Sequence, residues 1–144
     1  MIVVVRINKC RAAGGSVAAC AYRAWLLSRL LTDANLRNNC KYLVALNGPA
    51  VEGVFCIKGV APDALPRRVQ FDLEPVSKEC FIAMKNAIDS IYESARLRYL
   101  MGSRYVFEEQ FRMAGVEVPS MNCCPNGNIP LLEPNQIELN GRPI

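Results

Sequence analysis

One stretch, Lys41 to Leu73, limits the possible folds more than any other part of the chain, because it holds short runs of β-branched and aromatic residues punctuated by Asn, Gly and Pro. Lys41-Tyr-Leu-Val-Ala-Leu46, the turn Asn47-Gly48-Pro49-Ala50 and Val51-Glu-Gly-Val-Phe-Cys-Ile57 predict two strands and a tight connection; Arg67-Arg-Val-Gln-Phe-Asp-Leu73 predicts a third strand. Alternation along the second strand sends Val51, Gly53, Phe55 and Ile57 to an apolar face and Glu52, Val54, Cys56 and Lys58 to a mixed one. A meander of this kind cannot bury its apolar face alone, so flanking helices must cover it. Before the third strand, Lys58-Gly-Val-Ala-Pro-Asp-Ala-Leu-Pro66 reads as a rigid loop, either a surface connection or a flap over the sheet.

The flanks supply those helices. Met1-Ile-Val-Val-Val-Arg-Ile-Asn8 has neither the basic start nor the long apolar region of a secretory signal, and is expected as the first strand of a cytoplasmic protein. Ser16 is a predicted N-cap for a helix running to about Leu31, with Val17, Ala21, Trp25, Leu26 and Leu30 facing the sheet; Asp33 can cap one more short turn ending at Asn38-Asn39. Pro75 opens a second predicted helix over residues 76–101, in which Phe81, Met84, Ile88, Ile91, Ala95 and Tyr99 recur at helical spacing. Ser103 restarts a helix that carries Val106, Phe107 and Phe111 to a stop at Gly115. The expected fold is α+β: a small, mostly antiparallel sheet in the order β-α-β-β-β, covered by helices, with a long C-terminal helix region. Residues 1–118 form the single domain, and 119–144 a Pro/Asn-rich extended tail, partly disordered or laid across a neighbouring subunit, with Gln136-Ile-Glu-Leu139 as a candidate edge strand.

Composition narrows the chemistry. With 144 residues, 51% hydrophobic and 21% charged, the chain can bury a real core, and no apolar run approaches the roughly 20 residues of a membrane span. There is no histidine, which removes Ser-His-Asp and Cys-His nucleophile pairs and histidine metal sites. The seven cysteines include no Cys-x-x-Cys pair and mostly sit in apolar contexts, so they are expected as buried reduced thiols, with adjacent Cys123-Cys124 the pair to watch. Phosphate-cradling glycine motifs are missing; Gly14-Gly15-Ser16 reads as a turn before a helix. Asp63, Glu74 and Lys78 superficially suggest a metal nuclease, but Pro75 falls where adjacent acidic and basic strand residues would be needed.

The formal charge of +4 permits a phosphate-bearing partner. An arginine and aromatic set gives that possibility its residues: guanidinium groups bind phosphate bidentately and aromatic rings stack on bases. The wider set spans Arg6, Arg11, Arg23, Trp25, Arg67, Arg68, Tyr92, Arg96, Arg98, Tyr99, Arg104 and Tyr105. The bland alternative is a solvated basic face with Trp25 in the core.

Tyr22-Arg-Ala-Trp25, Lys41-Tyr-Leu-Val-Ala-Leu-Asn-Gly48, Val51-Glu-Gly-Val-Phe-Cys-Ile57 and Val69-Gln-Phe-Asp72 together resemble the strand, helix and hairpin succession of PUA-like modules, including EVE-type domains. The resemblance covers residues 1–73. It implies a small barrel that recognises modified bases or RNA, with Arg23, Trp25 and Asn47 as pocket residues.

The leading expectation is therefore a non-enzymatic binding protein for a nucleotide or nucleic acid, using Arg23, Trp25, Asn47, Arg67, Arg68, Arg96, Tyr99 and Arg104 as ligand residues, without cofactor or metal. One version is a viral or mobile-element protein that sequesters a signalling nucleotide or blocks a host defence enzyme. The alternative is a protein–protein module or inhibitor that forms a homo-oligomer through its C-terminal helices, since Ile82, Leu97 and Leu100 lie off the main apolar stripe.

Overall fold

In the computed structural model, which describes residues 1–117, 123–124, 127–139 and 142–143, six strands form one curled, half-barrel sheet. The elements are β1 (Ile2–Arg6), α1 (Asn8–Ala12), α2 (Val17–Ala21), β2 (Arg23–Trp25), α3 (Arg29–Thr32), α4 (Ala34–Asn39), β3 (Tyr42–Asn47), β4 (Ala50–Pro62), β5 (Val69–Pro75), α5 (Lys78–Ile91), a 3-10 turn (Leu97–Tyr99), β6 (Ser103–Val106) and α6 (Glu108–Met113). The strands lie in the order β2-β5-β4-β3-β1-β6. β1 and β3 run parallel and the other neighbours antiparallel. A separate two-stranded sheet joins β7 (Glu138–Leu139) to β8 (Arg142–Pro143). Among the described residues no helix is long and apolar enough to cross a membrane.

The curl originates in β4, which pairs with β3 through its first half and with β5 through its second. It bulges twice. Glu52 is the extra residue between the pairs Leu46–Val51 and Ala45–Gly53, and Lys58 the extra residue between Ile57–Leu73 and Gly59–Asp72. Each insertion bends the strand and reverses the in-out alternation. Val51 thus joins Val54 and Cys56 on one face, and Phe55 joins Ile57 and Val60 on the other. Both faces are buried, which corrects the expectation of one apolar and one mixed face. On the first, Ile2, Val4, Val44 and Leu46 pack under Met84, Ala87, Ile88 and Ile91 of α5. On the second, Val3, Val5, Leu43 and Phe71 pack with Ala21, Leu27 and Leu30. The unbroken apolar run of β1 fits a strand covered on both sides.

The predicted helix from Ser16 is shorter than expected. Ser16 caps α2 by accepting from the Ala19 N–H at 3.1 Å, yet the helix ends at Ala21. Arg23 and Trp25 instead pair with Gln70 and Val69 of β5, with Ala24 between them in the left-handed region at φ 70°. Alanine's helix preference is worth only tenths of a kcal/mol per residue, and the open edge of β5 overrides it. Asp33 caps α4 through the Leu36 N–H at 3.0 Å, as expected.

The long C-terminal helix region is absent. α5 stops because the Leu97 N–H donates to the Tyr92 carbonyl at 2.9 Å and the Arg96 N–H to Glu93 at 3.0 Å, with Arg96 left-handed at φ 58°. This closure normally carries glycine at its left-handed position, and arginine there hides the stop. Beyond the 3-10 turn, Ser103–Val106 extends beside β1 as an edge strand where a helix was expected. Only then does α6 begin, and Gly115, at φ 71°, ends it as expected. The expected loop over 58–66 is also mostly strand: Gly59, Val60 and Ala61 pair with Asp72, Phe71 and Gln70, leaving a turn from Asp63 to Arg68.

Six of the seven cysteines are bonded, Cys10–Cys20, Cys56–Cys124 and Cys80–Cys123, and Cys40 is free and buried. This corrects the reading as reduced thiols, because an apolar context does not exclude a partner brought close by the fold. By the entropy removed from the unfolded chain, the 10-residue separation of Cys10–Cys20 is worth roughly 3 kcal/mol and the 68-residue separation of Cys56–Cys124 roughly 4. From Gly127 the chain lies on the domain: Ile129 N–H donates to Asn38 Oδ1 at 2.9 Å, Leu132 N–H donates to the Val60 carbonyl at 2.7 Å, and Ile137 is buried with Tyr22 and Ala61. The expected domain boundary at 118–119 lies outside the described residues.

Replacing Arg96 by glycine is expected to relieve the left-handed backbone and raise stability by about 1 kcal/mol, whereas valine at this position lowers it. Thermal melts of the two variants check this by the sign of each shift. At high pH, burial pushes the Cys40 thiol and the Tyr105 hydroxyl each up to about 12. Both folded values exceed the ordinary ones, so the folded chain holds these protons more tightly. Their contribution is complete below about pH 9 and is lost as pH rises toward 12. Urea midpoints should therefore fall between pH 9 and 11, less steeply in Cys40→Ala; a flat profile contradicts the assignment.

Candidate functional site

A cleft of about 1390 Å³ opens where β1 ends. Its walls come from four places: residues 6–10 at the junction of β1 and α1, Ala19, Cys20 and the three residues of β2, Leu65 and Arg68 of the turn before β5, and residues 98–102 in and after the 3-10 turn. Sheet order explains the assembly, since β1 and β2 lie far apart in the sheet and the curl swings their ends toward one another.

Several of its cations are fixed by main-chain carbonyls. Arg6 Nη1 donates to Arg98 O at 2.8 Å and Leu100 O at 3.1 Å, holding the segment after α5 against the end of β1. Arg68 Nη1 donates to Ala24 O at 2.6 Å, tying β2 to the turn. Arg23 makes a two-point contact with Asp63, both distances 3.2 Å, and the Asp63 side chain is 1% exposed. The Asp63 hydrogen bond holds the Arg23 guanidinium above its ordinary pKa. Arg98 pairs with Glu93 at 3.3 Å and lies 4.6 Å over the Tyr99 ring. Trp25 Nε1 donates to Ala21 O at 2.7 Å, which fixes the indole on the wall.

The charge balance follows. Among the described residues five cationic ones line the cleft, Arg6, Lys9, Arg23, Arg68 and Arg98, and no carboxylate does. Asp63 neutralises Arg23 from behind, and Glu93 partly screens Arg98. Arg6, Lys9 and Arg68 have no carboxylate partner among the described residues. Such a wall attracts anions, and guanidinium groups already held in place lose little freedom when they bind one. Leu65, Tyr99 and Met101 give it an exposed apolar rim.

Of the residues expected at a ligand site, Arg23, Trp25, Arg68 and Tyr99 meet here. The other four have different surroundings. Asn47 donates its amide to Glu52 at the first bulge. Arg67 is exposed and left-handed at φ 60° in the turn. Arg96 ends α5, and Arg104 Nη1 donates to the Ala95 carbonyl. Lys9 was not anticipated; the signal for it was a cation just past the carboxyl end of a buried strand. Arg6 and Arg98 belonged only to the wider arginine set. Among the described residues no group of three or more Cys, Asp and Glu side chains is placed to hold a metal ion.

No protein-family model, curated protein or solved structure matches the chain.

Asp63→Ala is expected to cost about 1–3 kcal/mol, because it strips the partner from Arg23 and the acceptor from the Leu65 N–H, 3.0 Å away. Urea unfolding reads the loss, and an unchanged midpoint would mean that the Arg23–Asp63 pair does not hold the wall.

Proposed function

We propose that the cleft binds a nucleotide, its phosphates near Arg6, Lys9 and Arg68 and its base against Trp25 or Tyr99, and holds it without transforming it. The observation that carries this reading is the coincidence, among the described residues, of three cations lacking carboxylate partners with two aromatic rings, in a cleft lined by no acidic residue. At about 1390 Å³ the space has room for a nucleotide and more than a lone phosphate needs. Retention without turnover fits a lining that offers neither histidine nor carboxylate as a general base. The resemblance of residues 1–73 to PUA-like modules points to the same ligand class. The protein–protein reading rests on less than the sequence implied, because Leu97 and Leu100 are buried and only Ile82, at 46%, is exposed.

Trp25, the only tryptophan, is the natural reporter. Titration with a nucleoside triphosphate, and separately with a short single-stranded oligonucleotide, is expected to change its emission in a salt-dependent way, with the nucleotide recovered unchanged after denaturation. Lys9→Ala, which removes a side chain without a partner among the described residues, should weaken binding about tenfold and flatten the salt dependence. Arg67→Ala should leave binding intact. Absence of any salt-dependent response to either ligand sinks the reading.

A further inference from the structure

We infer that Cys10–Cys20 is a thiol-sensitive latch on this cleft, opened by a low-molecular-weight thiol of the glutathione class; its effect on ligand binding rests on the nucleotide reading above. Both cysteines line the cleft. Of the seven cysteines Cys10 alone is exposed, whereas its partner Cys20 is 6% exposed. The other two bonds are better protected: Cys56 and Cys124 are 4% and 8% exposed, and Cys80 and Cys123 are half-buried. Thiol–disulfide exchange needs access to a sulfur, and Cys10 is the one cysteine of the three bonds whose residue is exposed.

The charge around Cys10 acts in the same direction. Lys9 is its neighbour, Arg6 shares the cleft, and among the described residues no carboxylate lines it. Cations stabilise a thiolate, so the reduced form gains relative to an uncharged site, and they attract an anionic thiol. The thiolate attacks Cys10 Sγ, the bond to Cys20 breaks, and Cys20 leaves as a thiolate that takes a proton from water. A second thiolate then attacks the mixed disulfide and releases Cys10, so two thiols are oxidised to one small disulfide as the protein gains two thiols.

Opening matters because the elements it joins have little support of their own. α1 and α2 are five residues each, below the length at which a helix holds itself, and β2 pairs at only two positions. α1 keeps other anchors, since Asn8 accepts from the Gly48 N–H at 2.9 Å and Arg11 pairs with Glu52 at 3.2 Å. α2 is tied to α1 by the disulfide, packed so closely on Gly15 that a Cβ there would lie 2.7 Å from both sulfurs. α2 leads directly to Arg23 and Trp25, so release loosens that wall.

The test exposes the full oxidised chain to graded reduced glutathione, traps thiols by alkylation, maps them by mass spectrometry, and follows iodide quenching of Trp25. Cys10–Cys20 should open at least about tenfold faster than the other two bonds, with Trp25 quenching raised about twofold and far-ultraviolet circular dichroism retained. The latch is refuted if this bond opens last or together with the others, or if it opens and Trp25 quenching stays the same. The double variant Cys10→Ser, Cys20→Ser should show the raised quenching without thiol, and the oxidised value in that variant equally refutes it. If neither form binds nucleotide, the binding proposal fails while the latch is still decided by bond opening and Trp25.

Discussion

Everything in the fold depends on β4 holding two partners while bending between them. A straight strand of 13 residues would make a flat ladder; the insertions at Glu52 and Lys58 turn it, so that β3 takes one half and β5 the other. Each inserted residue is charged and has a use. Lys58 meets Glu74 at 3.2 Å. Glu52 accepts from Asn47 and from Arg11, and those contacts, Asn47 foremost, hold its carboxyl below the ordinary value. Through Arg11 the first bulge fixes α1, and through α1 it sets the position of Lys9 at the mouth of the cleft. A local defect in one ladder thereby governs a feature at the end of another strand.

The cleft wall also stores backbone strain. Among the described residues three non-glycine ones are left-handed, and two of them, Ala24 and Arg67, sit beside or within the segments that bring Arg23 and Arg68 to the cleft. A side chain in that conformation costs about 1–2 kcal/mol, so it persists only where neighbours over-determine it. They do so here. The Ala24 carbonyl is held by Arg68, and the turn containing Arg67 is closed by the Asp63 N–H donating to Arg68 O at 2.9 Å. The same arginine that faces the cleft thus stabilises the strain that positions its neighbour, which makes Arg68 a poorer probe of ligand binding than Lys9.

Local signals were legible and pairwise ones were not. The hairpin from Tyr42 through Ala50, the strand at Val69, and the caps at Ser16, Asp33 and Gly115 depend on a few adjacent residues, and the structure has them where the sequence placed them. β2 was hidden because Ala24 and the alanines before it favour a helix and its partner Gln70 lies 47 positions along the chain from Arg23. The end of α5 was hidden because Arg96 stands where glycine is the usual sign. The bulges were hidden because nothing in Val51-Glu52-Gly53 announces an extra residue, and one such residue moves Val51 to the other face. At the site, Arg23, Trp25, Arg68 and Tyr99 belonged together, but Asn47, Arg96 and Arg104 are spent on local hydrogen bonds or a helix end. Residue type suggested the chemistry, and only the curl selected which copies of each type share a wall.

The segment that composition makes look most expendable braces that wall from behind. Cys123 and Cys124 fasten the chain to α5 and β4, after which Leu131 lies alongside Val60 and Leu132 covers Gly59, where a side chain on the glycine would collide. Ile137, fully buried, then packs with Tyr22 and Ala61. Tyr22 immediately precedes Arg23, and its carbonyl accepts the Phe71 N–H at 2.6 Å, so apolar contact and a ladder bond meet at the root of β2. A strand of three residues has few hydrogen bonds of its own to hold it at the edge of the sheet. The apolar anchor at Tyr22 adds to those bonds from outside the cleft, and so fixes the root of β2 without a carboxylate in the cleft lining among the described residues.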